Sequence, residues 1–287
     1  MVYALDIRDS AMKKDRVYTF SYYGSKAKIA SRYPEPIHDT ITEPFAGAAR
    51  YSCLYYDKNV VLYDIYEPIY RVWNYLINDA TYNMVIGLPD VPNATVLESI
   101  NGFSQLSQEE KWLIAFCANG GSSSPKNVSG RHDFNVWNKT KKNIAESLSK
   151  IRHWKVYQKG YDSVENKTST WFIDPPYQGR GKWYVNHAIN YNDLSSWCLE
   201  RRGQVIVCEN YGADWLPFER LVEVPFVNYK SENDKKKKTV EAMFYWENTS
   251  IPFVWKCASC GNTRYYFQHC SCGNSMVESL KNNVLKP

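Results

Sequence analysis

An apolar run, Trp171-Phe172-Ile173, stops against Asp174-Pro175-Pro176-Tyr177. Adjacent prolines cannot continue a central strand, because each lacks the backbone donor that the ladder needs. A buried strand must therefore end here and deliver Asp174 and Tyr177 to the carboxyl rim of its sheet. In open α/β sheets that rim is where ligands bind. The same four residues suit one piece of chemistry. An exocyclic base amine is a poor nucleophile because its lone pair is delocalised into the ring. A carboxylate and a backbone carbonyl can accept its N–H bonds, draw the nitrogen towards tetrahedral geometry and free the pair. Proline supplies such a carbonyl from a fixed turn. A tyrosine ring offers a face to a base swung out of its stack. If Tyr177 serves that way, its ring matters and its hydroxyl does not. A plain Pro-Pro turn is the other reading of these residues taken alone.

Upstream, Ile41 to Phe45 and Val60 to Tyr63 are short apolar runs, and Ile69 to Leu76 has helical spacing. This strand, turn, helix order predicts a parallel sheet covered by helices. Residues 80–165 break the rhythm. Ser107 and Glu110 form an S-x-x-E capping box before an apolar helix from Trp112 to Cys117. A Gly/Ser-rich stretch follows, and Lys139 to Ile151 is helical again, so the segment reads as an inserted, mostly helical lobe. Alternation returns over 166–247, with a helix from Leu194 to Glu200 and a strand from Gln204 to Cys208. The segment ends in β-rich stretches, Leu221 to Val227 and Thr239 to Trp246, around the lysines 235–238. A boundary near Ser250 divides the chain into 1–250 and 251–287.

Glu43-Pro44-Phe45-Ala46-Gly47-Ala48-Ala49 closes the first strand, and Gly47 lets the backbone approach a ligand. Asp64 ends the next strand, 17 residues after Gly47. It suits the hydroxyls of a ribose and equally a helix N-cap.

Together these stretches resemble the Dam-like, or D12, class of N6-adenine DNA methyltransferases. Asp174 to Tyr177 is similar to its catalytic signature, in which Ser or Asn in first place is more usual for N4-cytosine enzymes. Phe45 to Ala49 resembles the Phe-x-Gly-x-Gly loop that holds the methyl donor, with Ala49 in place of the second glycine. Phe20 to Lys26 resembles an aromatic-Gly-x-Lys stretch packed over the donor. Val207 to Asn210, Lys238 to Met243 and Ser129 to Asn135 resemble further stretches, in the α-group order. The resemblance implies a Rossmann-like S-adenosylmethionine-dependent methyltransferase sheet acting on double-stranded DNA. Asp174, Pro175, Pro176 and Tyr177 would be catalytic. Tyr23, Gly24, Lys26, Glu43, Phe45, Ala46, Gly47, Asp64 and Asp174 would surround the donor. Arg131 and Asn135 in the insert are candidate DNA contacts, with Arg131 reading a guanine edge or meeting a phosphate. Lys235, Lys236, Lys237 and Lys238 meet phosphates or form a solvated hairpin tip. An N4-cytosine or RNA-directed enzyme, or a non-catalytic binder on the same scaffold, are the alternatives.

The net charge of +5 permits a polyanionic partner without demanding one. No apolar run reaches the roughly 18 residues of a membrane span, and Met1 to Arg16 lacks a continuous apolar core. The expectations are the cytoplasm of a prokaryote or phage-infected cell, a restriction-modification setting, and a monomer or weak dimer. Cys53, Cys117, Cys198 and Cys208 lie in apolar segments and read as buried free thiols. Cys257-x-x-Cys260 and Cys270-x-Cys272, each followed by glycine, have the spacing of a structural Zn²⁺ site. A small C-terminal zinc ribbon is therefore expected, with His269 as a substitute ligand; a free-thiol tail is the other reading.

Overall fold

The computed structural model describes residues 16–91, 98–99, 102–118, 123–128, 134–179, 184–185, 188–225, 238–248, 255–256 and 263–264. The strand before the Pro-Pro turn is there: β6 runs from Ser169 to Ile173, and all of it is buried. It belongs to a seven-stranded sheet. In chain order the elements before it are β1 (Thr40–Glu43), β2 (Asn59–Tyr63), α1 (Glu67–Asn74), α2 (Tyr82–Ile86), β3 (Glu98–Ser99), α3 (Gln108–Ala118), β4 (Asn127–Val128), α4 (Phe134–Ile151) and β5 (Lys155–Tyr157). After it come α5 (Tyr191–Glu200), β7 (Gly203–Asn210), β8 (Glu219–Pro225), β9 (Lys238–Asn248), β10 (Trp255–Lys256) and β11 (Thr263–Arg264). The sheet order is β5-β2-β1-β6-β7-β9-β8. The first five of these are parallel, and β9 runs antiparallel between β7 and β8. This mixed α/β arrangement is consistent with a methyltransferase fold. The pairs β3–β4 and β10–β11 stand apart from it.

Both faces of the central strands are covered, which explains their unbroken apolar sequence. Phe172, Ile206 and Cys208 face a core shared with α1, α3 and α4; Trp171, Ile173, Val205 and Val207 face the core under α5. Phe172 stacks on Tyr51 at 4.2 Å, and on the other face Trp171 meets Trp197 edge-on. The capping box forms as its sequence dictates. Glu110 N–H donates to Ser107 Oγ (3.2 Å), and Ser107 N–H donates to Glu110 Oε2 (2.9 Å). The cysteines 53, 117, 198 and 208 are buried and free.

The segment 80–165 differs in part from its helical reading. Lys155–Tyr157 is the edge strand of the main sheet, paired with Val61–Tyr63. Leu113, Phe116, Ile144 and Leu148 share one core with β1 and β2. Short period-2 runs such as 155–157 leave too little pattern to mark a strand.

Trp73 of α1 is fully buried against Phe20 and Trp154, and its Nε1 donates to the Gly47 carbonyl at 2.8 Å. Trp73→Phe keeps a ring there but removes the donor. It should lower the free energy of unfolding by about 1–3 kcal/mol, measured by urea denaturation. An unchanged midpoint would show that the bond contributes nothing.

Candidate active site

β1 and β6 lie side by side where the chain reverses its direction of progress across the sheet: β2 and β5 extend to one side, β7 to the other. Such a switch point opens a crevice at the carboxyl ends of the strands. A cavity of about 410 Å³ occupies it, within the range of small-molecule sites. Phe45 and Gly47 follow β1, Asp64 and Tyr66 follow β2, Tyr161 and Asp162 follow β5, and Asp174 and Pro176 follow β6; all border the cavity.

The loop after β1 is bent by two residues in the left-handed region, Gly47 (φ 44°) and Ala49 (φ 44°). A Cβ on Gly47 would come within 3.1 Å of the Tyr22 ring. Ala49 stands in for a glycine at a cost of about 1–2 kcal/mol. Its cramped, 2 % exposed position holds that conformation. Asp64 secures the loop: Oδ2 accepts from Gly47 N–H (3.0 Å) and Oδ1 from Tyr66 N–H (2.9 Å). The N-cap of α1 is Tyr66, so Asp64 forms a turn ahead of the helix. Burial raises its carboxyl to about 6, against the two backbone donors that lower it.

Glu43 borders the cavity but is only 2 % exposed. It accepts from Ser52 N–H (2.9 Å) and from the Ser52 hydroxyl (2.6 Å). Burial outweighs these donors and pushes its carboxyl up to about 8, with the Asp174 charge adding to the rise.

Lys26 lies buried beneath the Tyr22–Ser25 turn, its Nζ 2.7 and 2.9 Å from the two oxygens of Asp174 and 3.0 Å from the Gly24 carbonyl. Burial raises the Asp174 carboxyl, while the Lys26 charge and hydrogen bond pull it back down. Lys26 is itself lowered by burial but held above the lysine range by Asp174 and Glu241. On balance burial leaves the Asp174 carboxyl above its ordinary range, with Lys26 and a hydrogen bond from Tyr177 limiting the rise. Gly24 has φ 72°, and a Cβ there would fall 2.0 Å from the Tyr184 hydroxyl. That hydroxyl donates to the Tyr23 carbonyl at 3.2 Å.

The tyrosine of the Pro-Pro turn sits otherwise than a free stacking platform would. Tyr177 does not border the cavity; its hydroxyl donates to Glu241 Oε2 of β9 at 2.7 Å. The Lys26 ammonium lies 4.6 Å above its ring. Pro176 borders the cavity, and its carbonyl accepts from Tyr191 at 2.8 Å.

Residues 22–118 match the family model of the D12 class N6 adenine-specific DNA methyltransferase. The match covers about a third of the chain. It takes in Tyr22 to Lys26, the bent loop and Asp64, and ends before Asp174. No curated protein matches the chain. The family likeness and the geometry converge on the same rim, since the matched segment contributes Lys26 and the turn after β6 contributes its partner.

Tyr23, Gly24, Lys26, Glu43, Phe45, Ala46, Gly47, Asp64 and Asp174 all border the cavity. Arg131, Lys235, Lys236, Lys237, Cys257, Cys260, Cys270 and Cys272 lie outside the described residues, and Asn135 is described only as backbone of α4. Lys238 pairs with Glu223 at 2.7 Å. Among the described residues no group of three or more His, Cys, Asp or Glu is placed to hold a metal ion, and no helix is long and apolar enough to cross a membrane.

Tyr161, Asp162 and Tyr184 had no signal in the sequence, since each stands in a loop without a motif. Glu209 and Glu241 stood in recognisable stretches but had no assigned task. Glu209, fully buried, accepts from Gln178 N–H and from Trp215 Nε1, both at 3.0 Å, and so anchors the chain just past Tyr177.

The raised Glu43 carboxyl makes stability depend on pH with a definite sign. Its folded value of about 8 lies above the ordinary 4.5, so its contribution is fully present below about 4.5 and is lost as pH rises through 8. Glu43→Gln keeps an acceptor for Ser52 without a titrating group. Measured by thermal unfolding from pH 5 to 9, the native chain should lose stability relative to this variant. Parallel curves would contradict the shift.

Proposed function

We propose that the chain is a DNA methyltransferase that moves a methyl group from S-adenosylmethionine to the N6 amine of adenine. The observation that carries this reading is the Asp174 carboxylate, held by Lys26 at the switch point beside the bent loop after β1.

The residues fit the donor. The bent backbone at Gly47 and Ala49 leaves main chain facing the cavity. Asp64 keeps carboxylate lone pairs beyond its two backbone bonds for ribose hydroxyls. Phe45 and Tyr161, stacked with centroids 5.4 Å apart, form an aromatic wall with Asp162 beside it. Bound there, S-adenosylmethionine supplies an activated methyl group on a sulfonium. The chain's part is to orient the amine. Asp174, with lone-pair sites left beside Lys26, accepts one N–H, and the Pro175 carbonyl accepts the other. Lys26 keeps Asp174 an acceptor, because a protonated carboxyl would turn a donor towards the amine. Positioning of this kind supplies most of the rate.

The sheet register supports a DNA surface at the same rim. Asn210 of β7 faces Glu241 of β9, and Pro225 of β8 faces Lys238. The ends of β8 and β9 that flank residues 226–237, with the lysine run, therefore open at the carboxyl edge that carries Asp174. We read Lys235 to Lys238 as phosphate contacts and Arg131 and Asn135 of the insert as contacts to the target site. Cys257, Cys260, Cys270 and Cys272 are read as ligands of one structural Zn²⁺ on their spacing alone.

Incubating the purified chain with methyl-labelled S-adenosylmethionine and unmethylated DNA, then digesting to nucleosides for mass spectrometry, tests the reading. N6-methyladenine is expected. N4-methylcytosine, or label only in RNA, would replace it with the corresponding alternative, and label in neither would remove the enzymatic reading. Asp174→Ala should reduce transfer by at least about 100-fold while S-adenosylmethionine still binds by calorimetry. Full activity in that variant would overturn the role of Asp174.

A further inference from the structure

We propose that Glu241 is a positioning residue for the reacting carboxylate, acting through Tyr177 and Lys26. The proposal rests on the amino-methyl-transfer reading and deepens it. Glu241 sits on β9 with a strand on either side, opposite Asn210 of β7 and Val222 of β8. It is 9 % exposed. Burying a carboxylate costs free energy that an apolar residue there would not. One contact that offsets this cost is the Tyr177 hydroxyl, which donates to Oε2 at 2.7 Å. That bond fixes the Tyr177 ring against the sheet. The fixed ring presents a face to the Lys26 ammonium at 4.6 Å, a favourable cation–π arrangement. Lys26 in turn reaches both oxygens of Asp174. Tyr177 also hydrogen-bonds Asp174 directly, so a side chain on a doubly paired strand is linked to the group that must be oriented most accurately both through Lys26 and through Tyr177 itself. The negative charge of Glu241 also helps to hold the Lys26 ammonium in its charged form.

The Tyr177 hydroxyl therefore matters as well as its ring, against the expectation for a simple stacking platform. A double-mutant cycle with Tyr177→Phe and Glu241→Met tests this. Each single variant should lower kcat by about tenfold or more, with KM for S-adenosylmethionine little changed. The double variant should be no worse than the poorer single one. Glu241→Gln, which still accepts from Tyr177, should restore most of the lost kcat. The same cycle is read in urea midpoints, where the two losses should again fail to add. Full kcat in Tyr177→Phe, or additive losses in both readouts, would overturn the proposal. The wild-type chain separates the two ideas. If it transfers no methyl group, the enzymatic reading fails, while the urea cycle still decides whether Glu241 acts through Tyr177.

Discussion

The ion pair between Lys26 and Asp174 ties the molecule's working parts together. Lys26 comes from a turn ahead of the sheet, and Asp174 from the far end of its central strand, 148 residues later. A lone charge at either position would be buried at a cost of several kcal/mol. Together they make a polar centre that the rest of the fold surrounds. The Tyr22–Ser25 turn covers it, Tyr184 closes over that turn, and Tyr177 backs it from below. Arg50 fastens the arrangement from the side, donating to the Phe20 carbonyl at 2.7 Å and to the Ser25 hydroxyl at 3.2 Å. The loop after β1 and the segment bearing Lys26 are therefore mechanically one piece.

Much of this was legible in the chain because each signal was local. β6 and β7 read as unbroken apolar runs, since both of their faces are buried. The Pro-Pro turn ended β6 where its missing donors required. The capping box formed because its two partners are three residues apart. What the chain concealed was long-range. Nothing in the run 155–157 says that it borders β2. Nothing near Tyr177 says that its hydroxyl belongs to Glu241, 64 residues away on a strand entering from the opposite direction. Asp64 illustrates the middle ground: both of its sequence readings, ribose acceptor and helix start, missed that its first duty is to hold Gly47 and Tyr66.

Ala49 shows a compromise between backbone and side chain. Glycine would adopt its left-handed conformation freely, yet its methyl group is packed in the core with Ala46 and Ala48. The residue thus trades backbone ease for buried apolar surface, and the surrounding hydrogen bonds hold it to the bargain. Arg50, the next residue, makes its contacts to Thr19, Phe20 and Ser25 from the direction that this bend imposes.

The pairing of β1 with β6 also joins contacts of very different sequence span. Asp64 reaches Gly47 across 17 residues, whereas Thr42 meets Ser169, at 2.8 Å, across 127. Closing a longer loop costs more chain entropy, and contacts distant in sequence form slowly. The loop after β1 can therefore take shape with β2 and α1 before the strand that carries Asp174 has docked. A partly folded chain of that kind has the bend at Gly47 but not yet the Lys26–Asp174 pair. The cavity at the switch point takes its full lining only when the two halves of the sheet have joined, because β1, β2 and β5 supply one side of it and β6 the other.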